Sequence, residues 1–428
     1  MFSKIKVKTV TIFKAITNSI AFYPTIISVG LFFFAFLLLY LETDKVTKFL
    51  LEHASFLVIN NSETARSILS TLIGGILSLT VFSFSMVMIL LNQASSNFSP
   101  RLLPGLISNK RNQIVLGVYL GTISYNIVVL ISILPSGDKY TLNGFSILFG
   151  IALGFLSLAL FVFFIHSIST AIQIGNILKD IFKNTKKRLN ALSDSEWNKK
   201  IDFPNITSDW SVIRSTKAGY FYGVNLEGLK DFAQKNETNI KIAVSKDEYL
   251  LPNMPLVYLE KKLENEKDVI SLLNLYAGTR DASENFALGI RQITEVGIKA
   301  MSPAINDPGT ANMSIDYLTE LFALRMEISD REIYYTEDEN YKIELETVNF
   351  SELIYRSLAA YRQYCKHDIL IMEKLAKMLK YLLNHPCENE RYADTIKKQL
   401  HILYEDCQTN IENKSDNERL EKIFEGVV

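Results

Sequence analysis

Four stretches of this chain are too long and too apolar for an ordinary soluble fold: Pro24–Leu41, Ala65–Leu91, Ile114–Leu134 and Phe145–Ile165. A helix needs about 20 predominantly apolar residues to cross the hydrocarbon core of a bilayer. Backbone polar groups find no water there, so each run is expected to close its hydrogen bonds internally as a helix. The first run is longer than the apolar core of a secretory leader, and no small-x-small cleavage pattern follows Tyr40. Phe32, Phe33 and Phe34 predict that it faces lipid, with Tyr23 and Tyr40 near its two interfaces.

Composition supports a division of the chain. The 428 residues carry a net charge of −1, but residues 1–165 hold 11 Lys/Arg and 5 Asp/Glu, leaving 34 and 41 for the remainder. A charge-poor, slightly basic part precedes one of ordinary globular composition. The totals exclude a disordered chain, a collagen-like chain and a small disulfide scaffold. They also argue against a nucleic-acid partner, because neither part has a Lys/Arg excess interleaved with aromatics. Cys365, Cys387 and Cys407 are odd in number and form no CxxC, which predicts free thiols and neither a zinc site nor a disulfide framework.

Lys and Arg placement orients the spans. Lys4, Lys6, Lys8 and Lys14 precede the first; Arg101, Lys110 and Arg111 lie between the second and third; Lys179, Lys183, Lys186, Lys187 and Arg188 follow the fourth. The opposite loops are poorer in cations. Both termini are therefore predicted to be cytoplasmic, in the inner (plasma) membrane, with a large cytoplasmic region after the fourth span. Asn60 with Glu63 reads as a capping box opening the second helix. Arg66 and His166 are read as interface anchors.

Gly117-x-x-x-Gly121 and Gly150-x-x-x-Gly154 predict close helix approach in the third and fourth spans. The second span differs. Thr71, Ser78, Ser85 and Asn92 recur every seven residues with Gly74, Gly75, Val81 and Phe82 between them, so they share one helix face. Such a seam is expected to face protein or water. It serves either helix–helix packing or, in a ring of copies, a water-filled path.

The segments QASSNFSPRLL, RNQIVLGVYLGT, FFIHSISTAIQ, RDASENFALGIRQ and KAMSPAINDPGTA resemble a family of bacterial predicted membrane proteins classed as a domain of unknown function. The resemblance implies a multi-pass bacterial membrane protein and brings no activity with it. Members often carry a second His after the FIH run, where this chain has Ser167, which argues against a metal or proton role there. LNQASSNFSPRLL is also similar in style to the pore helix of small-conductance mechanosensitive channels, with Pro100 expected to bend the helix as it leaves the membrane.

After the fourth span Ile168, Ile172, Ile177, Ile181 and Phe182 keep a helical stripe, predicting a continuous extension of that helix into solution. AGYFYGVN, LEGLKDFAQKN, NIKIAVS and EYLLPNMPLVYLE read as a βαββ unit, followed from about Glu264 by helices. Phe286, Ile290, Ile293 and Val296 form a stripe ended at Pro303, and Asp307 before Pro308 caps the next helix. Arg280, Asp281, Glu284, Arg291, Gln292, Asn306 and Asp307 are candidates to converge at that turn, as a salt-bridged corner or a polar pocket for a small ligand or ion. Beyond Phe350 two long amphipathic helices are expected, interrupted at Pro386.

The expectation is a mainly α membrane protein: four transmembrane helices in 1–167, a helical extension and linker in 168–210, a small βαββ unit in 211–262 and a helical cytoplasmic domain in 263–428. No GxSxG, HExxH or P-loop pattern occurs, so no catalytic residue, metal or cofactor is expected. The expected partners are the lipid bilayer and further copies of the chain. An oligomeric channel is one functional reading; a membrane-anchored sensor or scaffold that binds a ligand or protein is the other.

Overall fold

Helix is the outcome wherever the long apolar runs fall. A computed structural model describes residues 19, 21–42, 59, 61–97, 110–133, 144–171, 173–193, 202–263, 266–275, 285–387 and 389–426. The chain divides into two units, Met1–Asn176 and Ile177–Val428. Among its described residues the first contains four helices long and apolar enough to span a membrane: α1 (Phe22–Leu41), α2 (Ser62–Asn97), α3 (Lys110–Ser132) and α4 (Gly144–Ala171).

Their surfaces match a lipid solvent. Phe33, Ile131, Phe155 and Val162 are each about two-thirds exposed or more, a display of apolar area that a water-soluble monomer rarely tolerates. The hub is α3. Half of its most apolar window is buried, against 11% for α2. Glycine makes that possible: Cβ atoms added at Gly117 and Gly121 would press on Ile27, Pro24 and Leu31 of α1, and one at Gly150 would overlap Asn126 of α3. Gly154 likewise receives Leu72 of α2. Two polar side chains pin the ends. Glu42 accepts hydrogen bonds from the Phe145 and Ser146 amides at 2.7 and 3.1 Å, capping α4, and Arg66 donates to the Ile133 carbonyl. Asn60 lies outside the described residues; Asn61 caps α2, its Oδ1 accepting from the Glu63 and Thr64 amides at 2.8 and 3.0 Å.

The predicted continuous extension of the fourth span is corrected. Helix α4 stops at Ala171 and α5 (Ile174–Ser193) is a separate helix. The Asn176 side chain donates to the Thr170 carbonyl at 2.7 Å, in place of the backbone amide that would have prolonged α4.

In the second unit β1 (Ser211–Arg214), β2 (Gly219–Val224), α6 (Leu226–Lys235), β3 (Ile240–Ile242), β4 (Tyr249–Leu250) and β5 (Pro255–Leu259) follow the expected strand and helix segments and add β1. Short α7 (Glu266–Ile270) and β6 (Leu273–Leu275) come next, then α8 (Phe286–Ala300), α9 (Pro308–Met326), β7 (Glu332–Tyr335) and β8 (Lys342–Leu345). The expected single βαββ unit is thus divided between two sheets. One has the order β4-β2-β6; the other, five-stranded, runs β1-β5-β3-β8-β7. The hairpin β7–β8 lies in a region expected to be helical, yet β8 pairs in parallel with β3, Ile240 opposite Ile343 and Lys241 opposite Glu344. It supplies the support that a short βαββ unit lacks by itself. Ile240, Ile242, Val257, Leu259 and Ile343 fill the core beneath the five-stranded sheet, with Leu229 and Ala233 of α6 packed in the same cluster.

The remainder is helical: α10 (Phe350–Cys365), α11 (Ile369–Leu383), α12 (Glu390–Asn410) and α13 (Lys414–Phe424). Four helices replace the two expected beyond Phe350. Asp368 and Asn413 create the extra starts, each accepting amide hydrogen bonds of the following first turn. Cys365, Cys387 and Cys407 are free thiols, and burial pushes Cys365 up to about 11 and Cys407 up to about 12.

Candidate functional site

The seam on α2 is turned away from its own bundle. Thr71, Ser78, Ser85 and Asn92 are all exposed, and among the described residues nothing stands over Gly74 or Gly75. The Thr71 hydroxyl donates to the Ser67 carbonyl at 2.8 Å and that of Ser78 to the Gly74 carbonyl at 3.0 Å. These back-bonds reduce the desolvation cost of each hydroxyl. The same face also carries Val81 and Phe82, both at least half exposed, and the Phe82 ring meets that of Phe161 in α4 at 5.9 Å between centroids. Asn92 lies just past Ile89, where the apolar span ends.

A different set of polar residues occupies the bundle interior. Ser83, Thr122, Asn126, Ser146 and Ser157 are fully buried. Ser157 donates to Thr122 at 3.3 Å and to the Leu153 carbonyl at 2.9 Å, while the Tyr125 hydroxyl donates to the Ser146 carbonyl at 3.0 Å. Asn126 lies against Gly150 and its amide finds no hydrogen-bond partner among the described residues. Sequence reasoning missed this set. Its signal was the pairing of Thr122 and Asn126 at i, i+4 on the same helix that carries Gly117 and Gly121.

The expected convergence around the SPAINDP turn is corrected in part. Arg280, Asp281 and Glu284 lie outside the described residues. Arg291 sits near the start of α8 and pairs with Glu295 at 3.8 Å. Asn306 and Asp307 lie beyond its other end, nine residues of helix or about 14 Å away, so they do not meet Arg291. Gln292 turns into the core, about nine-tenths buried.

Asp307 has a structural duty. Its carboxylate accepts from the Thr310 amide at 3.0 Å and hydroxyl at 2.6 Å. These bonds, the hydroxyl's first, hold its pKa below the ordinary 3.8. Asn306 enters the cap through a left-handed φ of 46°. Asp307→Ala is expected to cost about 1 kcal/mol in denaturant unfolding. Because the folded pKa is lowered, this contribution is complete above the ordinary carboxylate value and fades as pH falls through the folded one. The gap between parent and variant should therefore close in acid.

Arg291 instead borders a cleft of about 560 Å³ between the start of α8, α10 and the 245–248 loop, with Glu295, Glu352 and Arg356 on its walls. A smaller pocket of about 210 Å³ adjoins it through Ser245, Lys246 and Asn285, and reaches Arg188, Glu332 and Tyr334. Burial raises the Glu332 pKa, although the Tyr334 hydrogen bond at 2.7 Å and the nearby Arg188 and Lys246 charges oppose that rise. Burial, followed by the Glu332 charge, pushes the Tyr334 phenol up as well.

The family model described as "Predicted membrane protein (DUF2254)" matches residues 17–381. The chain belongs to this family. An uncharacterized protein of Mycobacterium tuberculosis (strain CDC 1551 / Oshkosh) is 22% identical over 363 residues, 81% of this chain and 67% of its own length. An uncharacterized protein of Mycobacterium bovis (strain ATCC BAA-935 / AF2122/97) matches with the same identity and coverage. No solved structure matches. Membership agrees with the four spans: this is a membrane protein, and its matched region runs from the first span through most of the second unit.

Proposed function

We propose that the protein acts as an oligomer of channel type, in which copies of α2 surround a path and present Thr71, Ser78 and Ser85 to it. The carrying observation is that Thr71, Gly74, Gly75, Ser78 and Ser85 are exposed on one side of α2, with nothing over the two glycines among the described residues. Association through such faces gains close backbone contact, and hydroxyls turned inward meet water instead of acyl chains. In this reading both termini and the C-terminal unit lie on the cytoplasmic side, an orientation that the Lys and Arg distribution supports. It assigns no catalytic role and no cofactor.

The test is reconstitution into vesicles with flux measured under voltage and under tension, alongside native mass spectrometry. A multimer with flux is expected, and Ser85→Leu is expected to reduce the flux severely by placing a large apolar side chain on the path. A monomer, or flux unchanged by Ser85→Leu, would overturn the reading. A second reading, reception of a ligand or protein partner by the C-terminal unit, is favoured by the cleft at Arg188, Lys246 and Glu332.

A further inference from the structure

One face of α3 carries polar side chains through much of the bundle. Asn112, Tyr119 and Asn126 recur every seven residues, with Thr122 between the last two, so they stand on one side of the helix. From Asn112 to Asn126 the helix rises about 21 Å, most of the hydrocarbon core. Tyr119, Thr122 and Asn126 are fully buried, and Gln113 is nearly so. This side is therefore turned into the bundle, where polar groups are costly and commonly mark a pathway.

The other helices answer with polar or small residues. Ser83 of α2 lies beside the Tyr119 hydroxyl. Ser157 of α4 donates to the Leu153 carbonyl at 2.9 Å and reaches Thr122 only at 3.3 Å. Gly150 lies against Asn126. Beyond it the Ser146 carbonyl accepts the Tyr125 hydroxyl, and the Ser146 hydroxyl donates to Glu42 at 2.6 Å. These steps lead from Asn112 and Gln113 at one end of α3 to Glu42 at the start of α4.

Helix packing alone does not account for Asn126. Its Oδ1 and Nδ2 are both buried without a partner among the described residues, so the deficit stands whichever way the amide is turned. Asn112 Oδ1 and Gln113 Oε1 are buried and unpartnered as well. A cation would satisfy the Asn126 oxygen and oppose its N–H groups, and an anion would do the reverse. A ligand that both donates and accepts meets the two together, and water is the one small enough to stand between packed helices.

We propose that the four-helix bundle of each chain holds a file of bound water along this face of α3 and passes protons through it. Asn126 holds the central water by both of its groups and does not itself ionise. Each water or hydroxyl in the file takes a proton on one side and releases another on the opposite side. One proton crosses, no covalent bond is changed overall, and reorientation of the groups resets the file. Residues 113–132 of α3 contain no Lys, Arg, Asp or Glu, so a metal cation would find no counter-charge along the way. The path lies within one chain and is independent of the seam on α2.

The test measures proton entry into vesicles that hold the full chain and a pH-sensitive dye, under an imposed pH difference with valinomycin and potassium to balance charge. The parent is expected to conduct above empty vesicles. Asn126→Leu removes both groups that hold the central water and is expected to slow entry about tenfold or more. Asn126→Ser, which can still donate and accept, is expected to recover part of the rate, and Phe155→Leu on the lipid-facing side to leave it unchanged. No entry with the parent, or equal entry with Asn126→Leu, would overturn the proposal. Loss with Ser85→Leu but not with Asn126→Leu would assign proton passage to the α2 face and overturn it too. Radiolytic footprinting of the parent requires no variant to fold. Tyr119 and Tyr125 are fully buried, yet both are expected to be oxidised, because water bound beside them is the source of hydroxyl radical. Unmodified rings would overturn the water file even if protons cross.

Discussion

Gly297→Ala is expected to destabilise the C-terminal unit by about 3 kcal/mol, or to prevent its folding. Helix α8 crosses α9 and α10 at this residue. A Cβ there would overlap the Tyr361 hydroxyl and the Ser314 Oγ and would lie 2.9 Å from Tyr361 Cζ. Neither neighbour has room to move. Tyr361 is 1% exposed, Ser314 is fully buried, and their oxygens are 2.5 Å apart in a hydrogen bond. Accommodating one methyl group means breaking that bond or separating two helices. Denaturant unfolding followed by circular dichroism measures the loss. Tyr361→Phe in the same chain removes one of the two overlapping oxygens, so the double variant should recover part of the loss, and a double-mutant cycle should show strong coupling. Additive effects at the two sites would remove the steric explanation.

Arg325→Met is expected to cost about 3 kcal/mol, the lower end of the range for breaking a buried ion pair, because its partner is partly open to water. Arg325 is 1% exposed and Asp330 27%. The guanidinium donates to Asp330 at 2.5 Å, to the Ile328 carbonyl at 2.8 Å and to the Val348 carbonyl at 3.3 Å, and it lies 5.6 Å from the centre of the Phe286 ring. Asp330 in turn accepts the Phe350 amide at 2.8 Å. One side chain thus joins the end of α9, the entry to β7, the start of α10 and the first residue of α8. Methionine fills much of the volume but removes the guanidinium from two carbonyls and from the Asp330 carboxylate, whose charge keeps the Phe350 amide as a partner. The Tyr392 hydroxyl still reaches the Ile328 carbonyl at 3.3 Å. Hydrogen exchange should report the damage first in β7 and β8. Adding Asp330→Asn to Arg325→Met should cost less than the two separately, since the orphaned charge is gone; full additivity would argue against a shared network.

Much of this organisation was legible along the chain. Apolar runs long enough to span a bilayer have no other stable conformation, so α1 to α4 follow from length and hydropathy. Gly117, Gly121, Gly150 and Gly154 marked the close approaches correctly because a missing Cβ has one packing consequence. Asp307 and Pro308 opened α9 as expected, since capping is settled within four residues. The breaks at Asp368 and Asn413 were equally local, but an amphipathic stripe that resumes on each side conceals them. The hairpin Glu332–Leu345 was hidden for another reason. It follows helical sequence, and its strand state is confirmed only by β3, about a hundred residues earlier.

Charged residues were the least legible, because their partners are chosen by the fold. Arg291 and Asp307 looked like neighbours in a list of polar residues, but a helix of nine intervening residues holds them apart. Arg188, Lys246 and Glu332 are distant in sequence and meet only because α5, the 245–248 loop and β7 pack together. The split in composition that divides a charge-poor first part from a charged second part was determined by the sequence alone, since each part answers to its own solvent. Which face of α2 stays open, which polar groups enter the bundle, and which cations share a pocket were decided by tertiary packing. Those outcomes depend on contacts between segments that no local pattern encodes.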